Sequence, residues 1–277
     1  MIILDNSQLV LSTILMEFGK TKTPSEDVIR HMVVNTYRHY RKTYKAKYGD
    51  LVICQEGGNY WRKEAFPFYK ASRKKLQDKD KDHWEKVFDI FDRIKTEIEE
   101  NFPYKNMRVD GCEADDIIAV LTKHYHAKEK ILIVSSDKDF YQLHRYDNVK
   151  QYSPYHKKMV EESHPDRYLF EHIARGDSGD GVPNILSDDD TFVDESKRQK
   201  PLSAKNLTKW LTEKCVPTEC QQNWERNQKL IDFTYIPVDR ENMIIEEFEK
   251  PMGSRGKIFD YLVAHKMKLL LENINEF

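Results

Sequence analysis

Three short apolar runs mark the first half of the chain, and each has the length of a buried β-strand. They are Met1–Leu4, Asp50–Cys54 and Ile131–Val134. Short, mostly aliphatic runs bounded by polar residues are typical of strands in a parallel sheet. The pattern therefore predicts three buried strands, each of which ends next to acidic residues.

Between and beyond these runs, apolar residues recur at intervals of three and four, the spacing of an amphipathic helix. Ser25, followed by Glu26 and Asp27, is the predicted N-cap of the first helix. Strands that alternate with helices predict an α/β fold with a mostly parallel central sheet flanked by helices. The predicted helices cover residues 25–46, 83–102, 111–125, 203–215, 217–233 and 256–274.

The second half of the chain contains helical patterns without apolar strand runs. We therefore predict two units, an α/β core over residues 1–165 and a smaller helical C-terminal domain over residues 166–277. The acidic stretch 187–200 interrupts the helical pattern. A solvated loop is preferred there over a metal site, because its acids lie far along the chain from the strand ends.

Acidic residues collect where these elements end or begin. Ligands of open parallel sheets bind beyond the carboxyl ends of the strands, and the first four acids fall there. Three more occupy the first turn of the helix that begins near Gly111, and the last two lie in the glycine-rich turn "GDSGDG". The nine candidate metal ligands are Asp5, Glu56, Asp137, Asp139, Glu113, Asp115, Asp116, Asp177 and Asp180.

Each acidic group also has a possible structural role without metal. Acids in the first turn of a helix interact favourably with its dipole, and Asp177 and Asp180 lie among turn-forming residues. Nine carboxylates at one edge would nevertheless repel each other strongly. Hard cations such as Mg²⁺ or Mn²⁺ suit oxygen ligands and would offset that repulsion. Two such ions can activate water and stabilise phosphodiester cleavage, so the residues by themselves indicate a metal-dependent phosphodiesterase.

The overall composition excludes several classes of protein. With 277 residues, 33% of them charged, and a net charge of −2, the chain is an ordinary folded protein rather than a disordered one. No apolar run approaches the roughly 18 residues of a membrane span, and no GxxxxGKS/T loop indicates nucleotide hydrolysis. The cysteines show neither metal-binding nor disulfide spacing, which predicts a reducing cytoplasm; they are Cys54, Cys112, Cys215 and Cys220.

One segment, Arg62–Lys75, is strongly basic in spite of the balanced total charge. It contains six basic residues and one acid, interleaved with Phe66, Phe68 and Tyr69. Basic side chains neutralise phosphates, and aromatic rings offer faces on which unpaired bases stack. The segment is therefore a candidate clamp for a nucleic-acid strand. The alternative is a solvated helix face that carries a few core aromatics.

The order of these motifs resembles the 5′ nuclease (flap endonuclease) superfamily. The motifs are "ILD", "YWRKEAFPFYKASR", "EADD", "SSDKDF" and "GDSGDGVPN". Within the superfamily, "RGKIFDYLV" and "NINEF" near the C-terminus resemble the ribonuclease H enzymes of T-even-like phages. The resemblance covers nearly the whole chain. It implies the α/β fold predicted above, with a helix-turn-helix-like duplex-binding element in the C-terminal lobe.

The resemblance also assigns roles to the candidate residues. It implies that Asp5 helps to hold the first of two Mg²⁺ ions, for which Mn²⁺ can substitute, and that Asp177 and Asp180 contribute to the second. The basic segment becomes an arch over about residues 62–83. The expected catalytic residues are Lys70, Arg73, Asp115 and Asp137, of which the two basic residues contact the scissile phosphate. The expected nucleic-acid contacts are Arg62, Lys63, Tyr69, Lys70, Arg73, Lys74, Lys75 and Lys205.

The implied activity is that of a 5′-to-3′ exonuclease and flap endonuclease with ribonuclease H activity, which removes RNA primers and adjacent DNA during phage replication. The implied substrates are branched or nicked DNA and RNA–DNA hybrids with a 5′ end. The resemblance also implies a monomer in the host-cell cytoplasm, with no membrane contact. A phage single-stranded-DNA-binding protein and a sliding clamp are the implied protein partners.

Two departures from the superfamily pattern affect these expectations. Glu56 stands where relatives carry an aspartate, and a misplacement of about 1 Å can cost about 100-fold in rate. The alternative is therefore a weakened or inactive structure-specific DNA-binding protein of the same fold. A more distant alternative is a PIN-type ribonuclease acting on single-stranded RNA. The stretch 187–200 also replaces a duplex-gripping hairpin, so the turn before Lys205 is the candidate phosphate contact.

Overall fold

A six-stranded sheet forms the centre of the protein. The computed structural model describes residues 1–19, 25–71, 81–252 and 257–277, and of residues 15–18 and 81–84 it describes the backbone alone. The strands are β1 (Ile2–Asp5), β2 (Leu51–Gln55), β3 (Lys105–Arg108), β4 (Ile131–Val134), β5 (Val149–Ser153) and β6 (Lys158–Val160). Their order is β3-β2-β1-β4-β5-β6, with all pairs parallel except β5 and β6. The prediction of a mostly parallel sheet is confirmed.

The strand order reverses at β1, which lies between β2 and β4. After β1 the chain adds β2 and β3 on one side, and it then crosses over to add β4 and β5 on the other. In such sheets the crossovers leave a crevice at the carboxyl ends of the two strands where the order reverses. Asp5 ends β1, and Asp137 follows β4 by three residues, so both acids lie at this crevice.

Helices cover both faces of the sheet. They are α1 (Asn6–Phe18), α2 (Glu26–Tyr48), α3 (Trp61–Ala65), α4 (Lys81–Asn101), α5 (Ala114–Tyr125), α6 (Pro165–Arg175), α7 (Ala204–Glu213), α8 (Gln221–Ile231), α9 (Val238–Glu249), α10 (Ile258–Ala264) and α11 (Lys268–Leu271). Short 3₁₀ helices cover Asp139–Arg145, Thr218–Cys220, Phe233–Tyr235 and Ile274–Glu276. In the described parts of the chain, no helix is both long and apolar enough to cross a bilayer.

Side chains of the central strands alternate between two apolar cores. Ile2 and Leu4 point into the core beneath α1, α2 and α4, whereas Ile3 points into the core beneath α5 and α9. All three side chains are fully buried. Burying such a side chain stabilises the fold by about 1.5–3 kcal/mol. Continuous apolar strands are therefore the sequence signature of a sheet that is covered on both faces.

The residues after position 165 complete the α/β core as well as forming a helical lobe. Tyr261, Leu262 and Phe277 belong to the core beneath α2 and α4, and Ile244 on α9 belongs to the other core. The helices α6, α7 and α8 form smaller apolar clusters of their own. The domain boundary at residue 165 stays a prediction, because helices from beyond it pack against the sheet of the α/β core.

The predicted start of α2 is confirmed, and the predicted C-terminal helix is corrected. Ser25 is the N-cap of α2, although its side chain makes no capping hydrogen bond; Glu26 and Asp27 bind Arg30, which also binds Glu97 of α4. The helix predicted over 256–274 is interrupted between α10 and α11. The backbone there includes Lys266 with φ of 54°, which a regular helix cannot contain.

The loop from β2 to α3 packs closely against the residues that precede α5. The Gly57 N–H donates to the Cys112 carbonyl at 3.0 Å, and a Cβ atom on Gly57 would lie 1.7 Å from the Val109 carbonyl oxygen. Gly58 has φ of 80°, and a Cβ atom there would meet open space. The loop therefore requires glycine at 57 for space and at 58 for backbone conformation.

We expect Gly57→Ala to lower the free energy of unfolding by about 3 kcal/mol or more, because the backbone oxygen of Val109 cannot yield to a methyl group. The matched variant Gly58→Ala should cost only about 1 kcal/mol, the backbone penalty alone. Urea unfolding of both variants measures the difference. Equal losses would contradict the close approach at Gly57.

Candidate active site

The carboxyl ends of β1 and β4 bring the first acidic residues into contact through one serine. The Ser135 hydroxyl donates to Asp5 Oδ2 at 2.9 Å and accepts from the Asp137 N–H at 3.0 Å. Ser135 is fully buried, so its hydroxyl has a fixed environment. The geometry shows why serine follows the apolar run of β4: it links two acids that are 132 positions apart in the sequence.

A buried glutamine holds the loop that follows β4. Gln151 on β5 donates from Nε2 to the carbonyls of Ser135 at 2.9 Å and Asp137 at 2.7 Å. The Asp139 N–H donates to Asp137 Oδ1 at 2.9 Å. Together these bonds orient Asp137 and Asp139 toward the crevice. Gln151 was missed by the sequence interpretation, because the residues "VKQYS" of β5 carry no apolar run that marks a strand.

The first turn of α5 contains a capping box. Glu113 is the N-cap, its side chain accepts from the N3 backbone, and its N–H donates to Asp116 Oδ2 at 2.9 Å. Arg62 Nη1 donates to Glu113 Oε2 at 2.9 Å and to Asp116 Oδ1 at 2.7 Å. Trp61 Nε1 donates to Asp116 Oδ2 at 3.1 Å. Glu113 and Asp116 therefore have the capping role that was the structural alternative to metal binding. Both carboxylate oxygens of Asp116 accept hydrogen bonds.

The structure corrects part of the predicted nucleic-acid clamp. Arg62 is 3% exposed and donates from Nε to the Leu230 carbonyl at 2.8 Å besides its two carboxylate partners. Tyr69 is 4% exposed, and Phe66 packs in a buried cluster with residues of α6 and α8. Neither Arg62 nor Tyr69 is therefore available to a nucleic-acid strand. Phe66 and Tyr69 are core residues, as the alternative interpretation of this basic segment expected.

Lys70 and Tyr69 connect α5 to the glycine-rich turn. Lys70 Nζ pairs with Glu113 and lies 3.5 Å from Asp180 Oδ2, and the Lys70 N–H donates to the Asp180 carbonyl at 2.7 Å. The Tyr69 hydroxyl donates to Asp180 Oδ2 at 2.7 Å and lies 2.9 Å from Glu113 Oε2. Lys70 adopts this position with φ of 56°. Two distant acidic groups are therefore held together by this pair of side chains.

Of the remaining basic residues that we predicted to contact nucleic acid, two are exposed and three lie outside the described residues. Lys63 is exposed on α3, and Lys205 is exposed in the first turn of α7. Arg73, Lys74 and Lys75 lie outside the described residues, as does the middle of the predicted arch, residues 72–80. The acidic stretch 187–200 is a surface loop. Within it, Lys197 pairs with Asp188 and Asp190. Arg226 on α8 pairs with Asp189, and this contact holds the loop against the helical lobe.

Glu56 reaches the N-terminus of α5. The Ala114 N–H lies 3.4 Å from Glu56 Oε2. Burial raises the pKa of Glu56, and the neighbouring Glu113 raises it further. The side chain therefore lies with the other acids despite its additional methylene group.

A second group of ligand atoms lies beside the first. Asp139 Oδ1 is 3.6 Å from His172 Nδ1, and Asp177 Oδ2 is 3.7 Å from His172 Nε2. Asp177 Oδ1 accepts from the N–H groups of Gly179 at 2.7 Å and Asp180 at 3.2 Å, which fixes the turn. Candidate ligand atoms of the two aspartates and the histidine all lie within 4.8 Å of one another. His172 was missed, because a single histidine on an amphipathic helix gives no sequence signal.

The buried carboxyls of the crevice resist ionisation. Burial, together with repulsion from Asp137, raises the pKa of Asp5 to about 7 and that of Asp139 to about 8. Burial also raises the pKa of Asp115 well above its usual range, with added repulsion from Asp5 and Asp137. The pKa of Glu113 is lowered in spite of its burial, because Lys70 and Arg62 stabilise its charge. Basic side chains of the protein therefore stabilise the charge of Glu113, whereas the pKa values of Asp5 and Asp139 stay raised.

Comparison with known families agrees with the fold and the acidic crevice. Residues 3–171 match the family described as 5′-3′ exonuclease, N-terminal resolvase-like domain, and the chain belongs to this family. Residues 164–277 match the family described as T4 RNase H, C terminal. The chain thus combines the general exonuclease domain with the C-terminal domain of one phage branch.

Individual relatives support this placement. The chain is 32% identical to the Ribonuclease H of Enterobacteria phage T4 over an alignment of 289 positions, which covers 99% of this chain and 95% of that protein. A 5′-3′ exonuclease of Mycoplasmopsis pulmonis is 32% identical over 93 residues, which cover 34% of this chain and 29% of that protein.

Two solved structures of the bacteriophage T5 D15 protein share the fold. The protein co-crystallized with metal ions aligns with a TM-score of 0.63 and 18% identity, covering 90% of this chain and 99% of that one. The D15 flap endonuclease in a pseudo-enzyme-product complex with DNA and metal ions aligns with a TM-score of 0.65 and 17% identity over the same shares. At this level of identity the likeness shows the common fold.

The raised carboxyl pKa values predict how stability changes with pH in the absence of metal. Between the ordinary aspartate value of 3.8 and about 8, the folded state holds protons on Asp5 and Asp139 that the unfolded state has released. The contribution of these groups to stability therefore falls as the pH rises through this window. Mg²⁺ binds the ionised carboxylates, so it should raise the melting temperature more at about pH 8 than at about pH 5.5.

Thermal unfolding of the metal-free protein across this pH range, with and without Mg²⁺, measures the effect. In Asp139→Asn the decline with pH should be shallower, because one of the two groups is gone. A melting temperature that rises steadily toward pH 8 without metal would contradict the assigned pKa shifts.

Proposed function

We propose that the chain is a metal-dependent 5′-to-3′ exonuclease and flap endonuclease with ribonuclease H activity, which removes RNA primers and adjacent DNA during phage DNA replication. The observation that carries the proposal is the convergence of acidic side chains from β1, β4, α5 and the 177–180 turn on one crevice. Membership of the 5′–3′ exonuclease family supports the reaction class. The ribonuclease H name of the phage T4 relative supports the RNA-directed activity.

The residues of the crevice suit two divalent cations, and we assign Mg²⁺, for which Mn²⁺ can substitute. Asp5, Asp115 and Asp137 would hold one ion, since Asp137 raises the pKa of Asp5 and both of them raise the pKa of Asp115. Asp139 and Asp177 would hold the other, with the nearby Asp180 carboxylate. The ions would supply an activated water and stabilise the charge of the cleaved phosphodiester. The donor set fits, because it is rich in oxygen and burial raises the pKa of Asp5, Asp115 and Asp139, whose charges a bound cation would stabilise.

The other acids of the crevice would support these ligands. Asp116 is engaged by Trp61, Arg62 and the Glu113 N–H, so we assign it to the orientation of α5. Glu113 pairs with Arg62 and Lys70. Glu56 lies beside Glu113 at the start of α5 and would act through a bridging water. Such indirect partners orient metal ligands and affect affinity.

Lys70 is assigned to the scissile phosphate together with Arg73. The Lys70 side chain is 12% exposed, at the margin of the crevice, where its ammonium group pairs with carboxylates. An incoming phosphate would compete with these carboxylates for the ammonium group. Lys63 and Lys205 are exposed and would neutralise phosphates of the same substrate farther from the reaction. The T5 D15 complex with DNA and metal ions supports DNA as the substrate.

The substrates we assign are branched or nicked DNA and RNA–DNA hybrids with a 5′ end. We also assign a monomer that acts in the host-cell cytoplasm, with the phage single-stranded-DNA-binding protein and the sliding clamp as partners. The binding-only alternative rested on Glu56. Its carboxylate lies among the other acids, which favours the enzyme.

The parent protein should release short 5′ products from a 5′-labelled flap and from a 5′-labelled RNA–DNA hybrid with Mg²⁺, and none with EDTA. Asp115→Asn and Asp137→Asn should each slow cleavage by at least about 100-fold, because each removes charge from the site that stabilises the transition state. Asp147→Asn, an exposed acid in the loop before β5, is the matched control and should cut at the parental rate.

Binding of both substrates is measured in parallel by fluorescence anisotropy with Ca²⁺. Tight binding of the flap by the parent protein without cleavage in Mg²⁺ would favour the inactive DNA-binding protein. Preferential cleavage of single-stranded RNA would favour the PIN-type ribonuclease.

Lys70→Ala should lower the single-turnover cleavage rate by about 100-fold or more, because a positioned donor to the reacting phosphate is lost. Lys128→Ala, which removes an exposed lysine near the start of β4, controls for the loss of one positive charge. Rapid-quench kinetics at saturating enzyme separates the chemical step from binding. Equal rates for the two variants would remove Lys70 from the reaction.

A further inference from the structure

His172 is an unusual side chain to find between two candidate metal ligands. Its ring lies between Asp139 and Asp177, at 3.6 Å on the Nδ1 side and 3.7 Å on the Nε2 side. Both distances are longer than a hydrogen bond. Nδ1 is buried and has no hydrogen-bond partner among the described residues. Buried ring nitrogens without partners are rare, and a bound ion is one reason for their presence.

The helix α6 fixes the imidazole in this position. Leu169 and Ile173 pack in a buried cluster with residues of α8, which fixes the rotation of α6, and His172 on an adjacent position faces Asp139 and Asp177. Gly176 ends the helix, and a Cβ atom there would lie 2.4 Å from the Val182 carbonyl oxygen. The close approach holds the 177–180 turn against the end of α6. His172 and Asp177 are therefore placed by the same local packing.

The spacing of the ligand atoms suits a shared cation. Two ligands that each lie about 2.1 Å from an ion are separated by roughly 3 to 4 Å, depending on the angle between them. The separations of 3.6 and 3.7 Å start from different ring nitrogens, and a single ion would use one of the two. One ring nitrogen and one carboxylate oxygen of each aspartate lie within 4.8 Å of one another, which small shifts bring to ligand spacing. The second ring nitrogen then faces the carboxylate on its own side, and a ligating histidine usually donates its other N–H to a carboxylate.

We propose that His172 is a nitrogen ligand of the second metal position, together with Asp139 and Asp177, and that this position therefore takes Mn²⁺ in preference to Mg²⁺. The inference rests on the proposed function, since it concerns one of the two ions assigned there. Mg²⁺ binds almost exclusively to oxygen, whereas imidazole suits transition metals. An imidazole in place of a carboxylate also lowers the negative charge at the position, which reduces the attraction for a hard ion.

Pulsed EPR of the Mn²⁺-loaded protein tests the ligand directly, without reference to activity. Modulation from a directly bound ¹⁴N nucleus is expected in the parent protein and absent in His172→Gln. His164→Gln changes an exposed histidine at the N-cap of the same helix, and it should retain the signal. His172→Asp serves as a second variant with an all-oxygen site, which should bind Mn²⁺ without the nitrogen signal.

Calorimetric titrations supply the second readout. In His172→Gln one of the two Mn²⁺ sites should lose about 10- to 100-fold in affinity, with a smaller change for Mg²⁺. In His172→Asp the preference should shift toward Mg²⁺.

The outcomes separate this inference from the proposed function. Two Mn²⁺ ions bound without nitrogen modulation, with intact cleavage of the flap, would overturn the role of His172 and leave the nuclease standing. Failure of Mn²⁺ and Mg²⁺ to bind, together with absent cleavage, would overturn both. Nitrogen modulation without cleavage would support the ligand and contradict the nuclease.

Discussion

Repulsion among carboxylates at the carboxyl edge of the sheet is the constraint on which the site depends. The parallel strands β1 and β4 bring Asp5 and Asp137 together, and α5 adds Asp115 above them. Burial alone makes each charge unfavourable, and the neighbouring charges add to that cost. The fold can hold these groups in its interior only as neutral acids or as ligands of added cations. In the proposed nuclease, metal binding would therefore contribute to the stability of this edge as well as to its chemistry.

The protein compensates some of the acids itself, and this divides the crevice into two parts. Asp115 and Asp116 are adjacent in the sequence, but a helix turns by about 100° per residue. Asp116 consequently faces Arg62 and Trp61 in a fully bonded network, whereas Asp115 faces the acids of the strand ends. Removing one partner of a buried ion pair costs about 3–5 kcal/mol. The Arg62 network is thus an internally compensated support beside a group of acids that would be compensated by metal in the proposed nuclease.

The sheet and most of the acidic crevice could be predicted from the sequence, because short aliphatic runs followed at once by acids are typical of buried parallel strands whose carboxyl ends line a site. The strand Lys105–Arg108 was missed, since its residues "KNMR" carry no aliphatic run. The burial of Arg62 was also missed, because its partners lie more than 50 positions away. His172 could not be recognised for a related reason: its significance comes from Asp139, which is 33 positions earlier and on another element. Sequence patterns thus locate residues on elements, whereas long-range pairing decides which of them are buried supports.

The connection between Lys70 and the 177–180 turn gives the two parts of the crevice a common response to substrate. Lys70 and Tyr69 both contact Glu113 on α5 and Asp180 in the turn. A phosphate that binds the Lys70 ammonium group competes with both carboxylates for its positive charge, and so weakens their pairing with it. Asp180, one of the two, lies next to Asp177, beside the second group of ligands. In the proposed nuclease, phosphate binding and completion of the second metal position are therefore coupled through a single side chain.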